Sequence, residues 1–252
     1  MKPSFDLAGR RALVTGGTRG IGRGVARALG SHGAKVALGY LSDRERAEES
    51  VVAFASEGIE AKAFPGDLAD PATSRGVVKE AGAWLGGMDI FVHSAGIRKD
   101  AAALFTSPET WSMVLRANLD SAFHTARAAG RLLLKSAHGR ILFFSSVSAA
   151  VGGPGQANYA ASKAGLEGLM RVLAREFAPK GVTVNCLSPG IIETNFSKGM
   201  DPKMRAWFIE NIPLGRFGTV DEVAPFALLL SSDAGAFVTG QVIHINGGMH
   251  FT

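Results

Sequence analysis

The run Ala12-Leu13-Val14-Thr15 ends directly on Gly16-Gly17-Thr18-Arg19-Gly20-Ile21-Gly22, and this junction constrains the fold more than any other segment of the chain. Its first four residues read as a short apolar strand. After the glycines, Val25, Ala26, Ala28 and Leu29 recur at helical spacing, so the unit is strand, tight turn, helix. Glycines are needed where the backbone turns sharply and approaches a pyrophosphate, with the next helix aiming its free amides and positive dipole end at the phosphates. Gly16, Gly20 and Gly22 are spaced Gly-x-x-x-Gly-x-Gly, a loose match to the common dinucleotide fingerprint. On the loop alone, a glycine turn with no ligand is the competing reading.

The pattern repeats along the chain. Apolar runs at 11–15, 35–40, 61–64, 89–93, 140–145, 182–187 and 241–245 alternate with helical stretches. This alternation predicts βαβ units and hence an α/β fold: a Rossmann-like, doubly wound parallel sheet of about seven strands, with helices on both faces and ligands at the carboxyl ends of the strands. Ser42 with Glu45 predicts a capping box, and Ser107-Pro108 a second helix start. A length of 252 residues suits one domain over 1–252. Region 191–218, with Pro202, Pro213 and the apolar Trp207-Phe208-Ile209, reads as a flap that closes over substrate.

Composition removes several function classes. No apolar run approaches the roughly 18 residues that span a bilayer, and the amino terminus lacks a signal-peptide hydrophobic region, so a soluble cytoplasmic protein with no membrane partner is expected. Cys186 is the one cysteine, in a strand-like run, and is expected to be a buried inert thiol. The six histidines show no ligand spacing, which argues against a metal site. A net charge of +5 is spread along the chain rather than gathered in a tail or on one helix face, so no nucleic-acid partner is expected. A mild positive surface instead suits an acidic protein or a phosphorylated ligand.

Tyr159 and Lys163 lie one helical turn apart, with Ser146 upstream. A phenol with a pKa of about 10 works as an acid or base near neutrality when its phenolate is stabilised, and an ammonium at i+4 can do that. Alone, the Tyr-x-x-x-Lys pair is equally an exposed amphipathic helix face. On the same helix Ala160, Ala164 and Gly168 form a small-residue stripe, which either packs on the sheet or faces a second subunit.

Taken together, the chain resembles the short-chain dehydrogenases/reductases over essentially its whole length. Thr15 to Gly22 matches that family's Thr-Gly-x-x-x-Gly-x-Gly, Tyr159 and Lys163 match Tyr-x-x-x-Lys, and Asp67, Ser94-Ala95-Gly96, Asn118, Ser146, Pro189-Gly190, Thr194 and Asn246-Gly247-Gly248 follow in order. The resemblance implies a catalytic set of Asn118, Ser146, Tyr159 and Lys163, with Tyr159 as proton donor, Ser146 on the carbonyl oxygen, Lys163 on the phenolate and nicotinamide ribose, and Asn118 anchoring a water that reprotonates Lys163. It implies cofactor contacts from Gly16, Thr18, Arg19, Gly20, Ile21 and Gly22, from Asp67 and Leu68 beside the adenine, from Ser94, Ala95 and Gly96 along the adenosine, and from Pro189, Gly190, Ile192 and Thr194 near the carboxamide. It also implies dimers or tetramers built on paired helices. The departure is His93-Ser94, where the family commonly has Asn-Asn, and His93 is expected to be a packing residue.

Cofactor choice is read at the end of the second strand, where an acid holds the ribose hydroxyl of NAD and a nearby arginine suits the 2′-phosphate of NADP. That position is Tyr40, and Arg19 stands in the glycine turn. NADP(H) is therefore expected, with Arg19 as the main phosphate partner, Ser42 or Arg44 assisting, and Asp43 a competing acid. Within the family the chain is similar to β-ketoacyl-[acyl-carrier-protein] reductases of fatty-acid synthesis, in Gly155 to Tyr159, Ile212 to Arg216 and Thr239 to Met249. A carrier-bound β-ketoacyl substrate follows from that likeness, with Arg131, Lys135, Arg140, Arg175 and Lys180 as a docking surface for the acidic carrier protein. A polyketide-type ketoreductase or another short-chain alcohol dehydrogenase is the nearest alternative, and a non-catalytic NADP-sensing protein the more distant one.

Overall fold

The central strands are buried along almost their entire length, and a strand with two apolar faces needs cover on both. The computed structural model describes residues 5–194, 197 and 199–251, and Asn195, Phe196 and Lys198 of the expected flap lie outside them. The elements run β1 (Arg11–Thr15), α1 (Gly20–Ser31), β2 (Lys35–Tyr40), α2 (Arg44–Ser56), β3 (Ala61–Pro65), α3 (Pro71–Leu85), β4 (Ile90–His93) and α4 (Pro108–Leu115). A π-helical segment, Arg116–Asp120, leads into α5 (Ser121–Leu133). Then follow β5 (Arg140–Phe144), α6 (Ser148–Val151), α7 (Ala157–Phe177), β6 (Thr183–Pro189), α8 (Pro202–Glu210), α9 (Val220–Ser231) and β7 (Val242–Ile245).

The strands form one seven-stranded sheet in the order β3-β2-β1-β4-β5-β6-β7, every pair parallel. Alternate side chains leave the sheet on opposite faces. Leu13, Phe91, Ile141, Phe143, Val184 and Cys186 pack under α3, α5 and α7. Ala12, Val14, Leu38, Val92, Leu142 and Leu187 pack under α1 and α9. Between β1 and β4 the strand order reverses, which opens a crevice at the carboxyl edge.

Two local expectations are corrected. The α2 cap is Asp43, whose carboxylate accepts from the Arg46 amide at 3.1 Å, not Ser42. Starting the helix one residue later leaves Ser42 exposed and uses an acid at the positive helix end. Ser107 caps α4 as expected, accepting from the Thr110 amide at 3.2 Å. The second correction is Arg140, which is 4% exposed at the start of β5. Its guanidinium donates to the carbonyls of Gly139 and Ser232 and lies 3.7 Å from Asp233, so it cannot dock a partner. Arg131, Lys135, Arg175 and Lys180 are exposed, but at the ends of α5 and α7 nearest the amino-terminal edge of the sheet, where Ser136 bonds Asp89 just before β4. That edge is opposite the crevice.

On α7, Leu166, Met170 and Leu173 face the core, while Ala164 and Gly168 are exposed. The small-residue stripe therefore does not pack on the sheet.

Asp89 pins β1 to β4. It accepts from the Arg11 guanidinium at 2.8 Å through both oxygens, from the Arg11 amide at 3.0 Å and from Ser136 at 2.6 Å. Burial favours the protonated acid, yet the Arg11 and Ser136 bonds outweigh it and hold the carboxyl below its usual range. Asp89→Ala is expected to cost about 3 kcal/mol at neutral pH, as loss of a half-buried charged network does. A depressed native pKa adds stability above the unfolded value of about 3.9, and that stability disappears as pH falls through the native value. Urea melts of both proteins should therefore differ at pH 7 and converge in acid.

Candidate active site

At the β1–β4 switch point the glycine turn meets the end of β4. Ser94 donates its amide to the Thr15 carbonyl at 3.2 Å. A Cβ added at Gly16, where φ is +64°, would lie 3.0 Å from the Ala95 backbone, so a side chain would force the two loops apart. Arg19 is the N-cap of α1 and supplies no capping bond, and no acid stands in the first turn. The leading amides of α1 are thus left to an external acceptor. At Gly20, with φ +51°, a Cβ would meet only Thr194 across the gap, at 3.8 Å.

That gap is part of a cleft of about 440 Å³ whose lining includes Thr18, Arg19, Gly20, Arg23, Arg46 and Thr194. Glu49 and Glu193 also reach it, leaving an excess of guanidinium. Arg19 is exposed, with no ion-pair partner among the described residues. Arg44, by contrast, pairs with Glu48 at 2.7 Å. Asp43 is held on its own helix by its capping bond and by Arg46 at 3.6 Å. The cradle, free helix end and basic cleft fit the pyrophosphate and phosphates of a dinucleotide. Arg23 and Arg46 were not singled out from the sequence, although both lie within a turn or two of recognised segments.

The other expected cofactor residues ring the same crevice. Ile21 and Gly22 open α1, and a Cβ at Gly22 would strike the Gly16 carbonyl. Asp67 is exposed and turns the chain by accepting from the Ala69 amide at 3.0 Å, while Leu68 is buried. Gly96 sits beside Asn118 and Lys163, its notional Cβ 3.0 Å from Asn118 Oδ1 and 3.6 Å from Lys163 Nζ. Pro189 ends β6, and the Gly190 amide donates to Ile245 at 2.9 Å, which brings Asn246 against it. Ile192 bridges to Gly218 at the base of the flap.

The expected catalytic four converge at the same edge from three elements. Asn118 comes from the π-helical segment rather than a regular helix. The extra backbone residue turns its amide inward: Oδ1 accepts from the Ile97 amide at 2.8 Å, and Nδ2 lies 3.0 Å from the Ile97 carbonyl and 2.9 Å from Ser162 Oγ. Ser146 follows β5, and Tyr159, Ser162 and Lys163 share one face of α7. Ser162 escaped the sequence reading, yet its i+3 spacing from Tyr159 marked it: it is fully buried and donates to the Tyr159 carbonyl at 2.7 Å.

Charge states differ from expectation in one respect. Burial pushes the Tyr159 phenol above its ordinary value, with a hydrogen bond from Ser146 pulling it back. Lys163 does not touch the phenol oxygen. Its ammonium donates to the Phe144 carbonyl at 2.7 Å and sits 5.7 Å from the Tyr159 ring centre. The expectation that Lys163 lowers the phenol pKa is thus not met in this arrangement, and at neutral pH Tyr159 keeps its proton. Burial lowers Lys163 itself to about 8. His93 is fully buried, packs against Phe91 and Phe143 and lies 3.1 Å from Thr15 Oγ1. Burial, then the Lys163 charge, pushes it down to about 3, so it stays neutral.

A buried ammonium with a depressed pKa opposes folding where it is charged. Between about 8 and the unfolded value of about 10.4 the unfolded chain holds the extra proton, so stability rises with pH in that window. Lys163→Met should therefore raise neutral-pH stability by about 2 kcal/mol, partly offset by the orphaned Phe144 carbonyl, and should remove that rise. Melts of the two proteins from pH 7 to 10 check this.

Among the described residues no helix is long and apolar enough to cross a membrane, and no group of three or more His, Cys, Asp or Glu is placed to hold a metal. Residues 16–250 match the family model described as enoyl-(acyl carrier protein) reductase. The chain is 39% identical over 246 residues to the 3-oxoacyl-[acyl-carrier-protein] reductase FabG of Escherichia coli, covering 98% of this chain and 99% of that one. It is 41% identical to nodulation protein G of Rhizobium meliloti, covering 97% and 98%. A crystal structure of a dehydrogenase/reductase from Sinorhizobium meliloti superposes with a TM-score of 0.94 at 37% identity, covering 98% of each chain. With the sheet order, the glycine cradle and the Asn118–Ser146–Tyr159–Lys163 cluster, these likenesses make the chain a member of the short-chain dehydrogenase/reductase family.

Proposed function

We propose that this protein is an NADPH-dependent ketoreductase whose substrate is a 3-oxoacyl group carried on acyl carrier protein. The observation that carries the proposal is the half-buried Tyr159 phenol, protonated at neutral pH, beside Ser146 at the same carboxyl edge of the sheet that carries the basic cleft. A bound nicotinamide supplies hydride to the carbonyl carbon. Ser146 donates a hydrogen bond to the carbonyl oxygen, where negative charge grows. Tyr159 gives that oxygen its proton, and its burial keeps the proton in place until then. To stabilise the phenolate, the Lys163 ammonium on the same helix face turns from the Phe144 carbonyl toward the bound ribose and the phenol oxygen. The position of Asn118, bonded to the backbone of Ile97 and beside Gly96, supports its role in anchoring the water that returns a proton to Lys163. Arg19 takes the 2′-phosphate.

The fatty-acid substrate rests on the likeness to the reductase of Escherichia coli, and an acyl carrier protein is the corresponding partner. The exposed face of Ala164 and Gly168 supports helix pairing with a second copy of this chain, in a dimer or tetramer. The test is NADPH consumption with acetoacetyl and longer β-ketoacyl thioesters against simple ketones. Turnover of thioesters supports the acyl reductase. Turnover of ketones alone would replace it with a short-chain alcohol dehydrogenase, and no turnover of either would end the ketoreductase reading.

A further inference from the structure

We infer that Glu167 is a positioning residue, which through Ser145 fixes the catalytic serine against the catalytic tyrosine. This rests on the ketoreductase reading of the site. The chain leaving β5 is tied to α7 at two successive residues, and the next is Ser146. The Phe144 carbonyl accepts from Lys163 at 2.7 Å. Ser145 Oγ donates to Glu167 Oε1 at 2.7 Å and lies 3.3 Å from the Lys163 carbonyl. Ser146, the next residue, acts on the Tyr159 phenol and draws its pKa down.

The Phe144–Lys163 tie and the approach of Ser146 to Tyr159 both involve groups that change during turnover. Tyr159 loses its proton, and Lys163 must share its ammonium between the Phe144 carbonyl and the ribose. The Ser145–Glu167 bond takes no part in either event and, at 2.7 Å, is shorter than the 3.3 Å contact of Ser145 with the Lys163 carbonyl, so it is the main tie that can hold the exit of β5 at constant distance from α7 through the cycle. Ser145 is 4% exposed and has no other acceptor side chain. Glu167 is mostly covered, and Arg171 lies 3.6 Å from its second oxygen. Its charge also acts on Cys186 and on His244 of β7, whose ring meets that of His250 edge-on. A glutamate placed one turn beyond Lys163 would otherwise be a surface residue on a helix that buries mainly apolar side chains at that spacing.

A bond of this kind acts by geometry, so a neutral acceptor of the same shape should replace it. Glu167→Ala should lower kcat for ketone reduction by about tenfold to a hundredfold, as ångström-scale misplacement of a reacting group does. KM for NADPH should stay within about twofold, since the cradle is untouched. Glu167→Gln should restore most of the loss. Ser145→Ala should be at least as slow as Glu167→Ala, since it also removes the contact with the Lys163 carbonyl, and the double variant should be no slower than Ser145→Ala, because it removes no further tie.

A second readout needs no substrate. The chain has two tyrosines, so in a Tyr40→Phe background the ultraviolet titration reports Tyr159 alone. Removing the Glu167 charge by itself eases phenol ionisation equally in the Ala and Gln variants. Moving Ser146 away from the phenol, whose pKa it draws down, makes ionisation harder, and only in Ala. A Tyr159 pKa that rises in Glu167→Ala relative to Glu167→Gln supports the inference. Equal titration in the two variants, or equal kcat, overturns it. If the parent protein reduces no ketone, the ketoreductase reading fails while the titration still decides the role of Glu167.

Discussion

Tyr159→Phe is expected to lower kcat for ketone reduction by about 10³-fold while NADPH affinity changes by less than about threefold. The half-buried Tyr159 phenol keeps its proton at neutral pH, and Ser146 beside it draws its pKa back down. Phenylalanine keeps the ring and its packing on α7, so the loss falls on proton transfer rather than on binding. Single-turnover absorbance of NADPH separates the two. The parent enzyme should reduce ketones at a constant rate through neutral pH and slow only in alkali, because a raised phenol pKa keeps the acid form dominant until then. A variant within tenfold of the parent would show that the proton comes from another group.

The architecture was legible because parallel strands covered on both faces are continuous apolar runs. Segments such as Ile141–Phe144 and Val184–Leu187, fully buried in the structure, therefore stand out without any alternation. The glycine turn was equally legible, since close backbone approach to Ala95 admits no side chain. What sequence could not supply was direction. Spacing placed Lys163 on the Tyr159 face, but only the fold shows its ammonium turned to the Phe144 carbonyl. Asn118 was recognisable, whereas the π-helical register that turns it toward Ile97 was not, because one inserted residue leaves no mark in composition. Arg140 looked like any basic residue beginning a strand. Its burial follows from long-range partners, Ser232 and Asp233, over ninety residues away. Glu167 was unread for the same reason: a carboxylate on a long helix is usually solvated, and its partner Ser145 lies on another element.

Cofactor choice gives the second large effect. Arg19→Glu should lower kcat/KM with NADPH by about 10³-fold and leave NADH within about threefold, inverting or abolishing the preference. Loss of charge-assisted bonds to a phosphate is worth about 1.5–3 kcal/mol, and a like charge in their place adds a further cost. Arg19 carries this expectation because its side chain is exposed at the cleft with no ion pair among the described residues, and is therefore available. Arg44 is engaged by Glu48, and Asp43, the acid expected to compete for the ribose, is held by the Arg46 amide and guanidinium. Arg46 also lines the cleft. If it carries part of the phosphate, Arg46→Ala will cost NADPH about tenfold and free Asp43 to improve NADH. Initial rates with both cofactors decide between the arginines: an Arg19→Glu enzyme that still prefers NADPH would move the 2′-phosphate away from the glycine turn.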